Sequence, residues 1–595
     1  MKPKRLRIAL AAAGIATLAL VPTAGSGSDT AFDPLFDGGA LCTAPTGGPP
    51  ALLRSLVLAA AETAPFQPVP AKPALAEAPV LYGNLGTLTF KAGTRNARAQ
   101  AWFDQGVRLA FAFNHAEAQR AFREAQKEDP RCALCFWGEA LVLGPNINVP
   151  MMPEASGPAL AALAKAVELE ASAPARDRFL IEALSKRYSA DPKADRAALD
   201  AAYADAMAAV ARRYPADDTV LALYAEAMMD TQPWDYWEAG GTKPKGRGAA
   251  IVAALETVLE RNPRHPGAIH LYIHAVEAST QPQKALPYAK RLGAMMPGAG
   301  HIVHMPAHIY YRVGMYRESL ATNKRAMGVD EAYFRTSPSD PLYRAAYYPH
   351  NIHFLMVSAQ MGGDGAAAIA AAAKLDASMP AEVVAQFAIM QPVKAAPYTT
   401  HAQFSAPDTI LALPAPPASL VLVTAMYHYA RAVAYAGRKD APSARREIDA
   451  LARIEREADF KPFAEWGVPA KEIVETARHV ATARLAAAGG DLEGAAKAYE
   501  DAIFIEDALA YTEPPYWYYP VRQSLGAVRL RQGKLDEAEK AFRESLARVR
   551  NNGWALAGLA ETYRRRGDAA GETAARRAFA NAWFGPAGGP PIERL

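Results

Sequence analysis

Histidine is the side chain in this sequence best placed to do chemistry. Of its 12 His, seven fall in one stretch: His270, His274, His301, His304, His308, His350 and His353. A helix turns about 100° per residue. On that spacing His270, His274 and Glu277 share one stripe, His301, His304 and His308 a second, and His350 and His353 a third. Neutral imidazole is a nitrogen ligand for Zn, Cu, Ni and Fe, and pairs spaced i, i+3 or i, i+4 can share one ion. Several imidazoles with a single carboxylate suit a transition metal better than Ca²⁺ or Mg²⁺, which want oxygen. These eight residues are the candidate metal ligands. Glu277 is either a further ligand or a general base, the candidate catalytic residue, acting toward metal-bound water. Against this stands a metal-free polar site, or imidazoles that only bond tyrosine hydroxyls and backbone. Protonated imidazole cannot ligate, so coordination is expected to weaken below about pH 6. His265, before Pro266 in a turn, and His115, His401, His428 and His479, out of phase or isolated, read as structural.

The stripes need helices held in register. After residue 95 the chain turns to Ala-rich segments with helical apolar spacing. Residues 99–132 place Trp102, Gly106, Leu109, Ala118, Phe122, Ala125 and Pro130 at the spacings of a helical hairpin. Small residues let two antiparallel helices approach, large ones plug the gap, and Pro ends the second helix. The frame recurs at Ala285, Ala289, Leu292 and Pro297, then at Ala307, Tyr310, Gly314, Tyr316 and Ala326. It returns at Ala483, Gly490, Ala495, Tyr499 and Ala502, and at Gly526, Gly533, Ala538 and Phe542.

This pattern resembles the tetratricopeptide repeat (TPR) family, over most of residues 96–585, with insertions around 150–200, 232–246, 328–347 and 376–418. The resemblance implies an all-α fold, a right-handed α-solenoid of TPR helical hairpins. In that family, positions 2, 5, 9 and 12 of each first helix line a concave groove that binds ligands. With Ala307 at position 8, His301, His304 and His308 take positions 2, 5 and 9. His270, His274 and Glu277 take 5, 9 and 12 one repeat earlier, and His350 and His353 take 2 and 5 one repeat later. All eight are expected in one stretch of groove.

The remaining features bound compartment and partners. Residues 1–24 carry Lys2, Lys4, Arg5 and Arg7 and no acid, then an apolar run from Ile8 to Val21, and read as a signal peptide. The 25–95 stretch reads as a Pro/Ala-rich linker and 586–595 as a tail. A periplasmic or secreted protein with no transmembrane segment in the mature chain is expected. Without the leader its formal charge of +4 falls near zero, which gives no whole-chain support to nucleic-acid binding. Of Cys42, Cys132 and Cys135, two can pair in an oxidising compartment, or all can be small buried hydrophobes. The runs Pro233–Trp237 and Pro514–Pro520 are aromatic and read as joints between repeats rather than as a stacking surface. A clamp for a peptide carboxylate has only Arg564 and Arg565 to build on. No phosphate loop or nucleophile elbow occurs. The favoured function is a binding or scaffold protein, its groove holding a protein or peptide partner, with a His-rich transition-metal site. The alternative is a metal-dependent hydrolase or oxidase using the same cluster.

Overall fold

The computed structural model describes residues 79–238, 240–337 and 341–595. The signal peptide, Cys42 and most of the linker read from the sequence lie outside them. Among the described residues the fold is an α-solenoid of helical hairpins, and the one β feature is an isolated bridge between Trp237 and Pro244 in the 232–246 insertion.

The first hairpin shows how the repeat is built. Asn96 caps the helix Ala97–Ala110, its side chain accepting from the backbone of Arg98 and Ala99. The helix His115–Glu128 returns antiparallel and ends just before Pro130. Phe122 is fully buried, and its ring lies where a Cβ on Gly106 or on Gly138 of the next helix would sit 2.5 Å away. Phe542 repeats this near the C-terminus, wedged between Gly526 and Gly558. One aromatic ring thus sets the spacing of three helices, and only glycine leaves it room. Gly526→Ala is expected to destabilise the protein by about 1–3 kcal/mol through overpacking, read as a lower urea midpoint.

The insertions around 150–200, 328–347 and 376–418 contain helices, and only 232–246 has none among its described residues. The 328–347 insertion lengthens both arms of one hairpin, giving the helices Tyr316–Thr336 and Pro341–Gly362. Residues 79–95 have no helix, yet they are not free linker. Leu85, Phe90 and Ala92 are buried, and Phe90 stacks on Phe103 at 6.3 Å. This segment covers the apolar groove face that the first repeat offers. At the other end the tail also docks: Leu595 is buried and Arg484 donates to the carbonyl of Glu593. Arg564 and Arg565 are both paired with Glu561. Cys132 and Cys135 form a disulfide at the start of the helix Ala133–Val142.

The apolar interior falls into two large clusters, one running from Leu85 to Tyr347 and the other from Leu320 to Val528. The histidine stretch spans this overlap, with His270 to His308 before it and His350 and His353 after it.

Candidate metal centre

Three helical stretches carry the histidines. His265 and Pro266 start the helix Pro266–Glu277, the His265 ring accepting from the Ala268 backbone, so this histidine is a cap. The next first-helix is broken into Gly300–His304 and Pro306–Arg312, with Pro306 at the joint. The third is Pro341–Gly362, which carries His350 and His353. The lengthened hairpin braces the middle stretch. Tyr343 accepts from the His301 backbone N–H at 3.1 Å and donates to buried Asp330 at 3.0 Å.

The eight sequence candidates are all at most 1 % exposed. They do not line an open groove. Phe113, Trp234 and Phe354 pack over them, so the chain itself covers this part of the concave face. Phe113 and Trp234 hold φ of 55° and 66°, a left-handed backbone that bulky residues avoid. Each such residue costs of order 1–3 kcal/mol. Both rings are thereby set against the first imidazole cluster, with centroids 4.4 Å from His270 for Phe113 and 4.6 Å from His274 for Trp234.

Six imidazoles converge as two triads, His270–His274–His301 and His304–His308–His350, each with ligand-capable atoms within 4.8 Å of one another. In the first, Nε2 of His270 lies 3.1 Å from Nε2 of both His274 and His301. In the second, Nε2 of His304 lies 2.8 Å from Nε2 of His308. Nitrogens on a tetrahedral ion at about 2.0–2.1 Å are roughly 3.3 Å apart, so little movement separates either triad from a coordination shell. Ring contacts across the triads, 5.5 Å for His274–His308 and 5.9 Å for His301–His304, match those within them. The six rings form one cluster.

Four of the six imidazoles have an anchored outer nitrogen. Nδ1 of His270 donates to the Phe111 carbonyl at 2.6 Å, and Nδ1 of His274 to Glu277 Oε1 at 2.9 Å. Nδ1 of His304 donates to Asn323 Oδ1 at 2.6 Å, an orientation fixed because the Asn323 amide donates to the Ser319 carbonyl. Nδ1 of His308 meets Glu277 Oε2 at 2.8 Å and Glu513 Oε2 at 2.6 Å. A neutral imidazole has one N–H and one lone pair. With the N–H committed outward, the lone pair on Nε2 points into the triad. His270 and His274 therefore face each other lone pair to lone pair. Both nitrogens of His350 and Nδ1 of His301 are buried without a hydrogen-bond partner.

Glu277 joins the halves, its two oxygens serving one histidine of each triad. His353 stands apart, its Nε2 bonded to the Tyr518 hydroxyl at 2.8 Å.

Charge follows burial. Desolvation, reinforced by neighbouring imidazoles, holds His270, His301, His304 and His350 well below the usual histidine pKa. Burial also lowers His274, against the pull of Glu277, and takes His353 to about 3. His308 is the exception. Burial opposes its charge, but Glu513 and Glu277 raise it to about 10. Burial and the neighbouring Glu277 hold Glu513 well above the carboxylate range. Burial also opposes charge on Glu277, but His308 and its hydrogen bonds keep it well below that range. At neutral pH a proton on His308 stands in the second triad, and the first triad is uncharged.

Phe113, Trp234, Asn323, Phe354 and Glu513 complete the site, and none carries a metal-ligand signature in the sequence. Glu513 and Trp234 lie within or beside the aromatic runs, which mark them by composition only.

By its architecture the chain is an α-solenoid of helical hairpins. No family model matches it, and no curated protein does. Solved structures similar to it include human IFIT1 with m7Gppp-AAAA, at 14% identity over 81% of this chain and 96% of that one, TM-score 0.31. Yeast Tom70 is similar at 10% identity over 82% and 90%, TM-score 0.25. Cut9 in the APC/C hetero-tetramer Cut9–Hcn1 is similar at 12% identity over 83% and 79%, TM-score 0.27. At these values the likeness says nothing of what this chain binds.

Proposed function

We propose that this protein is an exported helical-repeat protein that binds two transition-metal ions, one in each histidine triad. The observation that carries the reading is the inward convergence of the Nε2 atoms of His270, His274, His304 and His308, whose Nδ1 atoms are anchored outward. Metal-bound histidines are oriented in this way, by a carboxylate or carbonyl on the far nitrogen. Three imidazoles per ion leave a fourth position open, the pattern of catalytic rather than structural sites. All-imidazole donors suit Cu and Zn, and the Irving–Williams order places Cu²⁺ highest. Export rests on the composition of residues 1–24, with the Cys132–Cys135 disulfide as support. Any protein or peptide ligand has to dock outside the covered stretch. Among the described residues no helix is long and apolar enough to cross a membrane.

A specific observation favours the enzyme reading over a pure scaffold: a cavity of about 180 Å³ abuts His308 and Glu513.

Protein purified without a polyhistidine tag is expected to carry, or to take up, two ions per chain by elemental analysis. Failure to take up any of Cu, Zn, Ni or Fe would falsify the proposal. The triads are also expected to differ in pH dependence. Loading the second displaces the proton of His308, so its affinity rises about tenfold per pH unit from pH 7 to 9 and levels off near the His308 value of about 10. Loading the first displaces none in that range, because its histidines are held below the ordinary value of 6.5. Its proton competition therefore begins at lower pH than the pH 6 expected for unburied imidazole. Competition titrations at pH 7, 8 and 9 measure the two slopes.

A further inference from the structure

We infer that the cavity beside the second triad is a binding site for an uncharged, single-ring phenol, held as the substrate of the metal pair. As a substrate site it rests on the two-ion reading; as a phenol site it stands on its own lining.

The walls are aromatic: Phe354, Tyr511, Tyr516, Trp517 and Tyr518 surround a space of about 180 Å³. An apolar cavity of about 150 Å³ holds one benzene ring, so the space fits one ring with a substituent. Flat aromatic walls favour a ring over an aliphatic chain through stacked and edge contacts.

Three buried polar atoms in the lining have no hydrogen-bond partner, Glu513 Oε1, Trp517 Nε1 and Arg312 Nε. The first can accept a hydrogen bond and the other two can only donate one. A hydroxyl group has both complements, a donor O–H and an acceptor lone pair. A hydrocarbon would leave all three atoms unsatisfied, at the cost a buried polar group exacts. An ionised carboxylate only accepts hydrogen bonds and has no proton to offer Glu513 Oε1. Of the two guanidiniums in the lining, Arg548 is paired with Asp507, while Arg312 lies over the Tyr511 ring and donates to the Ser279 carbonyl, which leaves its Nε–H as the one buried guanidinium donor there without a partner. One such donor suits a hydroxyl oxygen and does not make the two-pronged fork that a bound anion would take. His308 forms part of the same wall, so a bound hydroxyl lies at the second triad's end of the cavity.

The test is calorimetric titration of full-length protein with 4-methylphenol and with toluene, in metal-free and copper-loaded samples whose metal content is measured separately. 4-Methylphenol is expected to bind both forms, at least tenfold tighter than toluene. Trp517→Phe, which keeps the ring and removes the N–H, is expected to weaken 4-methylphenol about tenfold and leave toluene unchanged. Ala510→Phe, which fills the cavity, is expected to abolish both. Saturation with 4-methylphenol is expected to shift the visible absorption of the copper-loaded protein. No binding by wild type, equal binding of toluene, or indifference to Trp517→Phe overturns the phenol site. Binding with an unaltered copper band overturns its assignment as substrate. Two ions bound with no 4-methylphenol leaves the metal pair standing and removes this inference. 4-Methylphenol bound by a protein that takes up no metal upholds the cavity and removes the metal pair.

Discussion

His350→Ala is expected to lower the bound metal from two ions to one. Each triad is assembled the same way: positions 5 and 9 of one hairpin and position 2 of the next. His270 and His274 are closed by His301, and His304 and His308, one repeat of 34 residues later, are closed by His350. Deleting His350 leaves the second triad two ligands and takes nothing from the first. Loss of an outer-shell partner alone costs about 10–100-fold in affinity, so loss of a direct ligand exceeds that. The remaining ion is expected to show the flat pH dependence of the first triad. His301→Ala is the mirror experiment and should leave the ion whose affinity climbs with pH. Both nitrogens of His350 lack partners in the metal-free fold, so its truncation breaks no hydrogen bond there. Truncation still empties the space of a buried ring packed on His304, His308 and Phe354, so the variant is expected to lose about 2–4 kcal/mol of stability without metal, and a urea midpoint measured without metal separates loss of a ligand from loss of the fold. His353→Ala is expected to keep both ions, because its Nε2 is spent on Tyr518. Loss of both ions from His350→Ala would mean that the six imidazoles serve one shared centre rather than two.

The repeat frame was readable because it depends on residue size at fixed intervals. Gly106 and Phe122 announce a close helix approach wherever they occur 16 residues apart, and Gly526 with Phe542 does so again. The histidine phase was readable for the same reason, since positions 2, 5 and 9 follow once Ala307 is placed. How the stripe divides was not. Phase puts His353 on the same face as His304, yet its ring turns to Tyr518, a contact 165 residues away in sequence. Burial of the stripe was equally hidden. It depends on Phe113 in a turn and on residues 511–518 crossing from a distant repeat, and nothing in the 34-residue period encodes either. Glu513 reaches His308 across 205 residues. Local periodicity specifies which side chains share a helix face, and long-range folding decides what closes over it.

Glu277 shows what that difference means for chemistry. The sequence offers it as a fourth ligand or a base, but both of its oxygens are taken up by the Nδ1 atoms of His274 and His308. In that place it acts as a positioning residue: it accepts their protons so that their Nε2 lone pairs face inward. Two substitutions separate the roles. Glu277→Leu removes both acceptors. His274 then has no partner on Nδ1 and is free to carry its proton on Nε2, where it blocks coordination. Affinity at the first triad is expected to fall about 10–100-fold. His308 still has Glu513 Oε2 at 2.6 Å, so the second triad should lose less. Glu277→Gln keeps one carbonyl oxygen. It can accept from His274 while its amide donates to Glu513 and Glu513 serves His308, so every proton keeps an acceptor. The glutamine variant is expected to hold both ions within a few-fold of wild type. A direct ligand or base would behave otherwise, since an amide replaces neither a carboxylate on a metal nor a proton acceptor. Metal titration of the two variants decides between the roles: leucine far below glutamine identifies orientation, and equal losses identify coordination.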